Sequence, residues 1–278
     1  MLLSVINKQN TYLNPINTLS FLDQLIFNLK IVIFIVTVIP LILASFFLRN
    51  LIPFIGKSLP VFFHNLLIWL LSVKIQYEGN YKRAKDCNLF VSNHISYLDI
   101  PILGATFPIR FVAKSEVEFW PILGFLSKLA RTIFIKRKRT DSIIQKNIIL
   151  NLLSSGDKVL MFPEGTTSDG NRVLDFKSSS FSAVENKQFL VQPIIIFYSE
   201  LNGIPINRWL RPVIAWYGDM DLKPHILKLL SLRSIKARLI YIDPVYSNDF
   251  ASRKELSIYL EKKIKDIYSN SLSKKLAK

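Results

Sequence analysis

Cysteine is almost missing from this 278-residue chain: Cys87 stands alone, so no intrachain disulfide can form, which fits a reducing compartment. Histidine is scarce as well, limited to His64, His94 and His225, with no pair at HxxxH spacing. Such a set is poor material for a structural zinc site, and no metal is expected. No Gly-x-Ser-x-Gly occurs, which argues against a serine-hydrolase elbow. The run Gly165 to Gly170 has the glycine spacing of a phosphate loop, but Asn171-Arg172 follow where Lys-Ser or Lys-Thr is needed. Acidic residues are also few, 20 against 36 Lys and Arg, leaving a net charge of +16. There is no internal repeat and no low-complexity tract.

What is present is apolar and basic. Half of the residues are hydrophobic, the pI is near 9.8 and the mean hydropathy is +0.29. That combination points to an anionic bilayer surface, where each nearby Lys or Arg contributes about 1 kcal/mol. Nucleic acid is the rival partner for such charge. It is disfavoured here, because the charge accompanies a long apolar segment and no nucleic-acid motif.

Ile31 to Leu48 carries no charge, lies between Lys30 and Arg49, and contains Pro40. As a helix it reaches about 27 Å, just short of a ~30 Å hydrocarbon core. A second apolar stretch, Pro60 to Val73, is broken by His64 and Asn65. The two read as an N-terminal hydrophobic helical hairpin over residues 1–75 that anchors to the membrane, dipping into one leaflet or spanning once. A buried core helix is the alternative. A secretory signal fits poorly, because the apolar run starts late and continues too long.

Beyond residue 75 short apolar runs alternate with amphipathic stretches. Strands are expected at Leu89–Ser92, Arg110–Ala113, Thr132–Ile135, Lys158–Phe162, Val191–Phe197, Val213–Tyr217 and Ala237–Ile242. Helices are expected at Tyr97–Leu103, Trp120–Leu129, Asp141–Leu153 and Ser179–Asn186. The alternation predicts an α/β domain over 76–250, with a mainly parallel sheet flanked by helices. Over 251–278, Leu256, Leu260, Ile264 and Tyr268 recur every four residues among lysines. This basic amphipathic helix either packs on the sheet or meets the bilayer.

Two short motifs carry the chemistry. His94 and Asp99 are five positions apart, a rotation of about 140° on a continuous helix, so they meet only if His94 precedes a helix that Asp99 enters. The strand-like Leu89–Ser92 followed by the cap-forming types Asn93 and Ser96 permits that. Asp99 would then fix the imidazole tautomer, and the other ring nitrogen would take a proton from a hydroxyl. In the second motif, Phe162-Pro163-Glu164-Gly165-Thr166 closes the Lys158–Phe162 run, at the carboxyl edge where open α/β sheets bind ligands.

Read together, the motifs resemble the lysophospholipid (1-acylglycerol-3-phosphate) acyltransferase family. His94 and Asp99 match its His-x4-Asp signature. Thr132-Ile133-Phe134-Ile135-Lys136-Arg137 resembles its second block, Gly-x-Ile-Phe-Ile-Asp-Arg, which implies that Arg137 binds a substrate phosphate. The bare residues read equally as a solvated run with Lys136, Lys138 and Arg139. Glu164, Gly165 and Thr166 match the third block, implicated in acceptor binding, and Phe176-Lys177 the Phe-Lys that follows it. Pro193 matches the proline of the fourth block, near the acyl chain. The departures are Arg131 for the opening Gly of the second block, Lys136 for its Asp, Ser179 for a Gly after Phe-Lys, and Thr167 for the Arg of Glu-Gly-Thr-Arg-Ser.

The resemblance implies an enzyme that moves an acyl chain from acyl-CoA or acyl carrier protein to the sn-2 hydroxyl of 1-acyl-sn-glycerol-3-phosphate. It implies His94 and Asp99 as catalytic residues, with Arg137, Glu164, Gly165, Thr166, Lys177 and Pro193 binding substrate. No cofactor beyond the acyl co-substrate is expected. With Thr167 in place of Arg, another lysolipid such as lyso-ornithine lipid is the alternative acceptor. A hydrolase or transacylase, or a silent membrane-binding protein, ranks lower. The expected partners are membrane lipids and acyl carrier protein, not nucleic acid. The expected place is a bacterial inner membrane, with the catalytic domain on its cytoplasmic side.

Overall fold

The computed structural model describes residues 21–51, 53–120, 123–136 and 142–273. Among these residues two helices come first, α1 (Phe21–Leu51) and α2 (Pro53–Leu70), each with an internal proline, and they touch each other. Phe27 is buried, and Lys30 Nζ donates to the Leu232 carbonyl at 3.0 Å, which ties α1 to the domain behind it. Phe21, Leu25, Leu29, Val32 and Val36 are exposed. Among the described residues no helix is long and apolar enough to cross a membrane. The spanning form of the expected hairpin is therefore not found there, in keeping with an apolar run about 27 Å long against a ~30 Å core. Val73, expected to end the second apolar stretch, opens a strand instead.

The strands are β1 (Val73–Gly79), β2 (Leu89–Ser92), β3 (Ile109–Lys114), β4 (Ile133–Ile135), β5 (Lys158–Met161), β6 (Leu190–Leu201), β7 (Ile204–Pro205), β8 (Ile235–Tyr241) and β9 (Val245–Tyr246). They form one sheet in the order β1-β8-β6-β2-β5-β3-β4, with β7 and β9 pairing to β6. The remaining helices are α3 (Asp99–Gly104), α4 (Leu123–Leu129), α5 (Ser142–Ser154), α6 (Leu222–Leu230) and α7 (Arg253–Ser273). The fold is mixed α/β, a central sheet flanked by helices.

The sheet is mixed rather than mainly parallel. The pairs β1/β8, β2/β5, β2/β6, β3/β4 and β3/β5 are parallel, but β6 meets β7, β8 and β9 antiparallel. The reversal follows from the length of β6. Its twelve residues run past the edge of the shorter β2, and the chain returns through α6 to lay β8 back along it. The central strands read as unbroken apolar runs because both faces are covered: Leu89, Phe90, Val91, Val159, Leu160 and Ile194 are inaccessible.

Two expected elements are absent. Val213–Tyr217 is not a strand: Arg211–Val213 forms a 3-10 turn, and the Trp216 amide goes to the Ile95 carbonyl rather than to a ladder. Ser179–Asn186 holds only a 3-10 turn at Ser178–Phe181. On α7, Leu256, Leu260, Ile264 and Tyr268 are all buried, so this stripe packs inward onto the domain. Each such buried side chain contributes about 1.5–3 kcal/mol.

Candidate active site

Strands β2 and β5 are parallel neighbours, with Val91 opposite Met161. The loops leaving their carboxyl ends therefore emerge side by side, and these loops carry His94 and Glu164. His94 precedes α3 and Asp99 is its first residue, so the helix start brings the imidazole and the carboxylate together. His94 Nδ1 and Asp99 Oδ2 are 2.8 Å apart. Asp99 Oδ2 also accepts the amides of Ile95 and Ser96, at 2.7 and 3.0 Å, and Oδ1 accepts the Tyr198 hydroxyl at 2.6 Å. The carboxylate is wholly buried, whereas the His94 side chain keeps 17% of its surface. Such a pair holds the neutral imidazole with its proton on Nδ1 and its basic lone pair on Nε2. The ring stacks on Phe162, 3.9 Å between centroids and 10° from parallel.

Neither of the expected capping residues caps the helix. Asn93 clamps β6 instead: its Nδ2 donates to the Ile196 carbonyl at 3.1 Å, and its Oδ1 accepts the Ile196 amide at 2.9 Å. Ser96 Oγ accepts the Leu98 amide at 3.3 Å, inside the tight turn before α3.

Glu164 is buried and works on the main chain. One oxygen accepts the His94 amide at 2.6 Å and the other the Leu174 amide at 2.7 Å. Burial pushes its carboxyl up to about 8, against the pull of those two amides and with a small push from the Asp99 charge. Its geometry is that of a brace holding the His94 loop to the loop that follows β5. A second tie joins the same loops, with the Ser168 amide donating to the His94 carbonyl at 2.8 Å. Gly165 turns the chain between them with φ +70°, a region open to glycine. Thr166 is exposed and Thr167 partly so. From the other side α7 secures the loop: the Tyr268 hydroxyl donates to the Gly170 carbonyl at 2.6 Å, and Glu261 accepts the Phe176 amide at 2.8 Å.

The remaining expected residues fall in different places. Lys177 has an exposed side chain, and its amide donates to the Pro163 carbonyl at 2.9 Å. Pro193 lies inside the sheet, opposite Val91, and is buried. Arg137 lies outside the described residues. Arg131, which replaces the family's glycine, has φ +60°, so the backbone demand that favours glycine is retained by a residue whose guanidinium lies 3.6 Å from Asp157. Among the described residues no three of His, Cys, Asp and Glu are grouped to hold a metal ion.

An aromatic cluster adjoins the site. Trp216 bonds the main chain of Ile95, one residue past His94, and packs edge-on to Tyr97 and Trp120. His225 lies on α6, its Nδ1 2.8 Å from the Tyr97 hydroxyl. Burial and then Lys228 push that imidazole down to about 4, so it stays neutral. Sequence reasoning missed Tyr198, the Asn93 clamp and the Phe162 stack. Only Tyr198 left a trace, as a hydroxyl near the end of the apolar run Ile194–Phe197.

The Acyltransferase family's sequence profile matches residues 74–197, the stretch that carries His94, Asp99 and Glu164. A lyso-ornithine lipid O-acyltransferase of Brucella abortus (strain 2308) is 36% identical over 225 residues, 78% of this chain and 84% of that protein. The chain belongs to the acyltransferase family. A 1-acyl-sn-glycerol-3-phosphate acyltransferase of Neisseria meningitidis serogroup B (strain MC58) is 28% identical over 183 residues, 66% of this chain and 69% of that one. The crystal structure of PlsC, the 1-acyl-sn-glycerophosphate acyltransferase of Thermotoga maritima, shares the fold with a TM-score of 0.63, covering 90% of this chain and 94% of that one at 23% identity. This acyltransferase is thus an O-acyltransferase with the His94–Asp99 pair at the sheet's carboxyl edge.

Proposed function

We propose that this acyltransferase esterifies the free hydroxyl of a lyso-ornithine lipid with an acyl chain from acyl-CoA or acyl carrier protein. The observation that carries the acceptor is the 36% identity to the Brucella protein named for that lipid, against 28% to the Neisseria protein named for the glycerol phosphate. This reverses the order in which the motifs alone rank the two acceptors. Thr167 supports the reversal. It stands next to Ser168, whose amide is tied to His94, and it takes away the guanidinium that a phosphate monoester would engage in a bidentate grip. Acylation of 1-acylglycerol-3-phosphate is the second reading, supported by the four ordered motif blocks and the fold shared with PlsC.

In this reading His94 Nε2 removes the acceptor's hydroxyl proton as the oxygen attacks the thioester carbonyl. The tetrahedral intermediate collapses, the C–S bond breaks, and the thiolate leaves with the proton returned by the imidazolium. Asp99 holds the tautomer throughout. General-base assistance supplies ~10²–10⁴-fold in rate, and the rest comes from positioning two bound substrates. Exposed apolar residues of α1 and the charge of +16 hold the site against an anionic bilayer, the bacterial inner membrane on its cytoplasmic side.

The test is a competition. Purified protein receives one long-chain acyl thioester and equal amounts of lyso-ornithine lipid and lysophosphatidic acid, and both products are weighed by mass spectrometry. At least about tenfold more acylated ornithine lipid is expected. A predominance of phosphatidic acid would reinstate the second reading. Free fatty acid in the absence of either acceptor would point to a hydrolase.

A further inference from the structure

The His-x4-Asp motif accounts for only one oxygen of Asp99. Oδ2 takes His94 Nδ1 and two main-chain amides from within the motif. Oδ1 takes the hydroxyl of Tyr198, ninety-nine residues later on β6. Tyr198 stands where β6 slips against β8: the register shifts between Tyr198 and Glu200, a β-bulge at Ser199. Bulges re-aim side chains beside active sites. The Asn93 side chain clamps the main chain of Ile196, two residues earlier on the same strand, and so anchors the motif beside Tyr198. Burial first, and the Asp99 charge second, push the Tyr198 phenol well above the usual tyrosine range, so it stays an O–H donor.

We propose that Tyr198 is a positioning residue for acyl transfer: its hydroxyl holds Asp99 so that Oδ2 keeps His94 aligned and Nε2 faces the acceptor hydroxyl. This rests on the general-base reading of His94. A carboxylate bonded at Oδ2 alone can swing about its Cβ–Cγ bond and still keep its two amides, whereas a donor at Oδ1 fixes the plane. The same bond draws charge away from Oδ2. Without it, Oδ2 carries more charge and the carboxylate grips an imidazolium more strongly. The other titratable and charged groups around this carboxylate are Glu164 after β5, Tyr268 on α7 and Tyr97 in the motif, with Arg211 and Asp169 facing Tyr268. None of them changes in the test.

The experiment compares wild type, Tyr198→Phe and His94→Ala in kcat, KM and the pH profile of kcat/KM. Tyr198→Phe is expected to lower kcat about tenfold, the loss of one charge-assisted hydrogen bond, with both KM values within about twofold. Its acid limb is expected to move to higher pH. As a control on folding, 3-fluorotyrosine at 198, a stronger donor of similar size, should move that limb the other way. An unmoved limb in both variants, or an unchanged kcat in Tyr198→Phe, would overturn the role. Full activity in His94→Ala would instead overturn the general-base reading, and the role of Tyr198 in turnover with it.

Discussion

Glu164 accepts the main-chain amide of His94 at 2.6 Å, although seventy residues of chain separate them. The contact places the carboxylate of the Pro-Glu-Gly block on the main chain of the His94 loop. Its second oxygen holds Leu174, so removing the side chain leaves two partly buried amides without their acceptor. Glu164→Ala is expected to cost about 2–5 kcal/mol in stability and to lower kcat more than it raises either KM. Urea melts and steady-state kinetics check both. A large rise in acceptor KM with an unchanged kcat would make Glu164 a substrate contact instead.

The pH dependence of Glu164 has a definite sign. Its folded-state carboxyl lies near 8, above the ordinary 4.5, so folding favours the protonated form. The stability it contributes is full below the ordinary value and declines as pH rises from about 4.5 to 8. Wild type should therefore lose stability relative to Glu164→Gln between pH 5 and 8 in parallel urea melts. A constant difference across that range would mean that the two amides outweigh burial and keep the group ionised.

Asn93 should tolerate no isostere. Aspartate would keep the acceptor for the Ile196 amide but turn an oxygen toward the Ile196 carbonyl, with a charge buried beside it. Asn93→Asp is expected to be at least as destabilising as Asn93→Ala, each by about 2–5 kcal/mol. If Asn93→Asp melts like wild type, the clamp does not have the assigned polarity.

Gly104 closes the helix that begins at Asp99, and a Cβ there would collide with the buried ring of His64 on α2. Because that ring is enclosed, it has little room to yield. Gly104→Ala should cost about 1–3 kcal/mol and depress activity by tilting α3. A melt and an activity assay within error of wild type would show that α2 moves freely against the domain.

Much of this was legible in the sequence. Leu89–Ser92 is a short β-rich run before a polar turn, and it occurs as expected; so does the start of Lys158–Met161. The His94–Asp99 contact follows from helical geometry once the helix is required to begin between them. β1 was hidden because Val73 continues the apolar stretch before it, and only Lys74, Gln76 and Glu78 betray the period-two pattern. Val213–Tyr217 has strand-like residues but no neighbouring ladder to join, which a sequence does not display. The roles of Glu164 and Tyr198 depend on partners seventy and ninety-nine residues away, contacts that only the sheet order creates.

The central claim is that His94, oriented by Asp99, deprotonates a lysolipid hydroxyl as it attacks a thioester. Thiol release from a long-chain acyl thioester, by detergent-solubilised wild type and His94→Ala, tests it most directly. The assay is run with lyso-ornithine lipid, with lysophosphatidic acid and with no acceptor. Release that requires an acceptor, is faster with the ornithine lipid and falls at least ~10²-fold in His94→Ala is the predicted result. Release that is independent of acceptor, or undiminished in the variant, would contradict it.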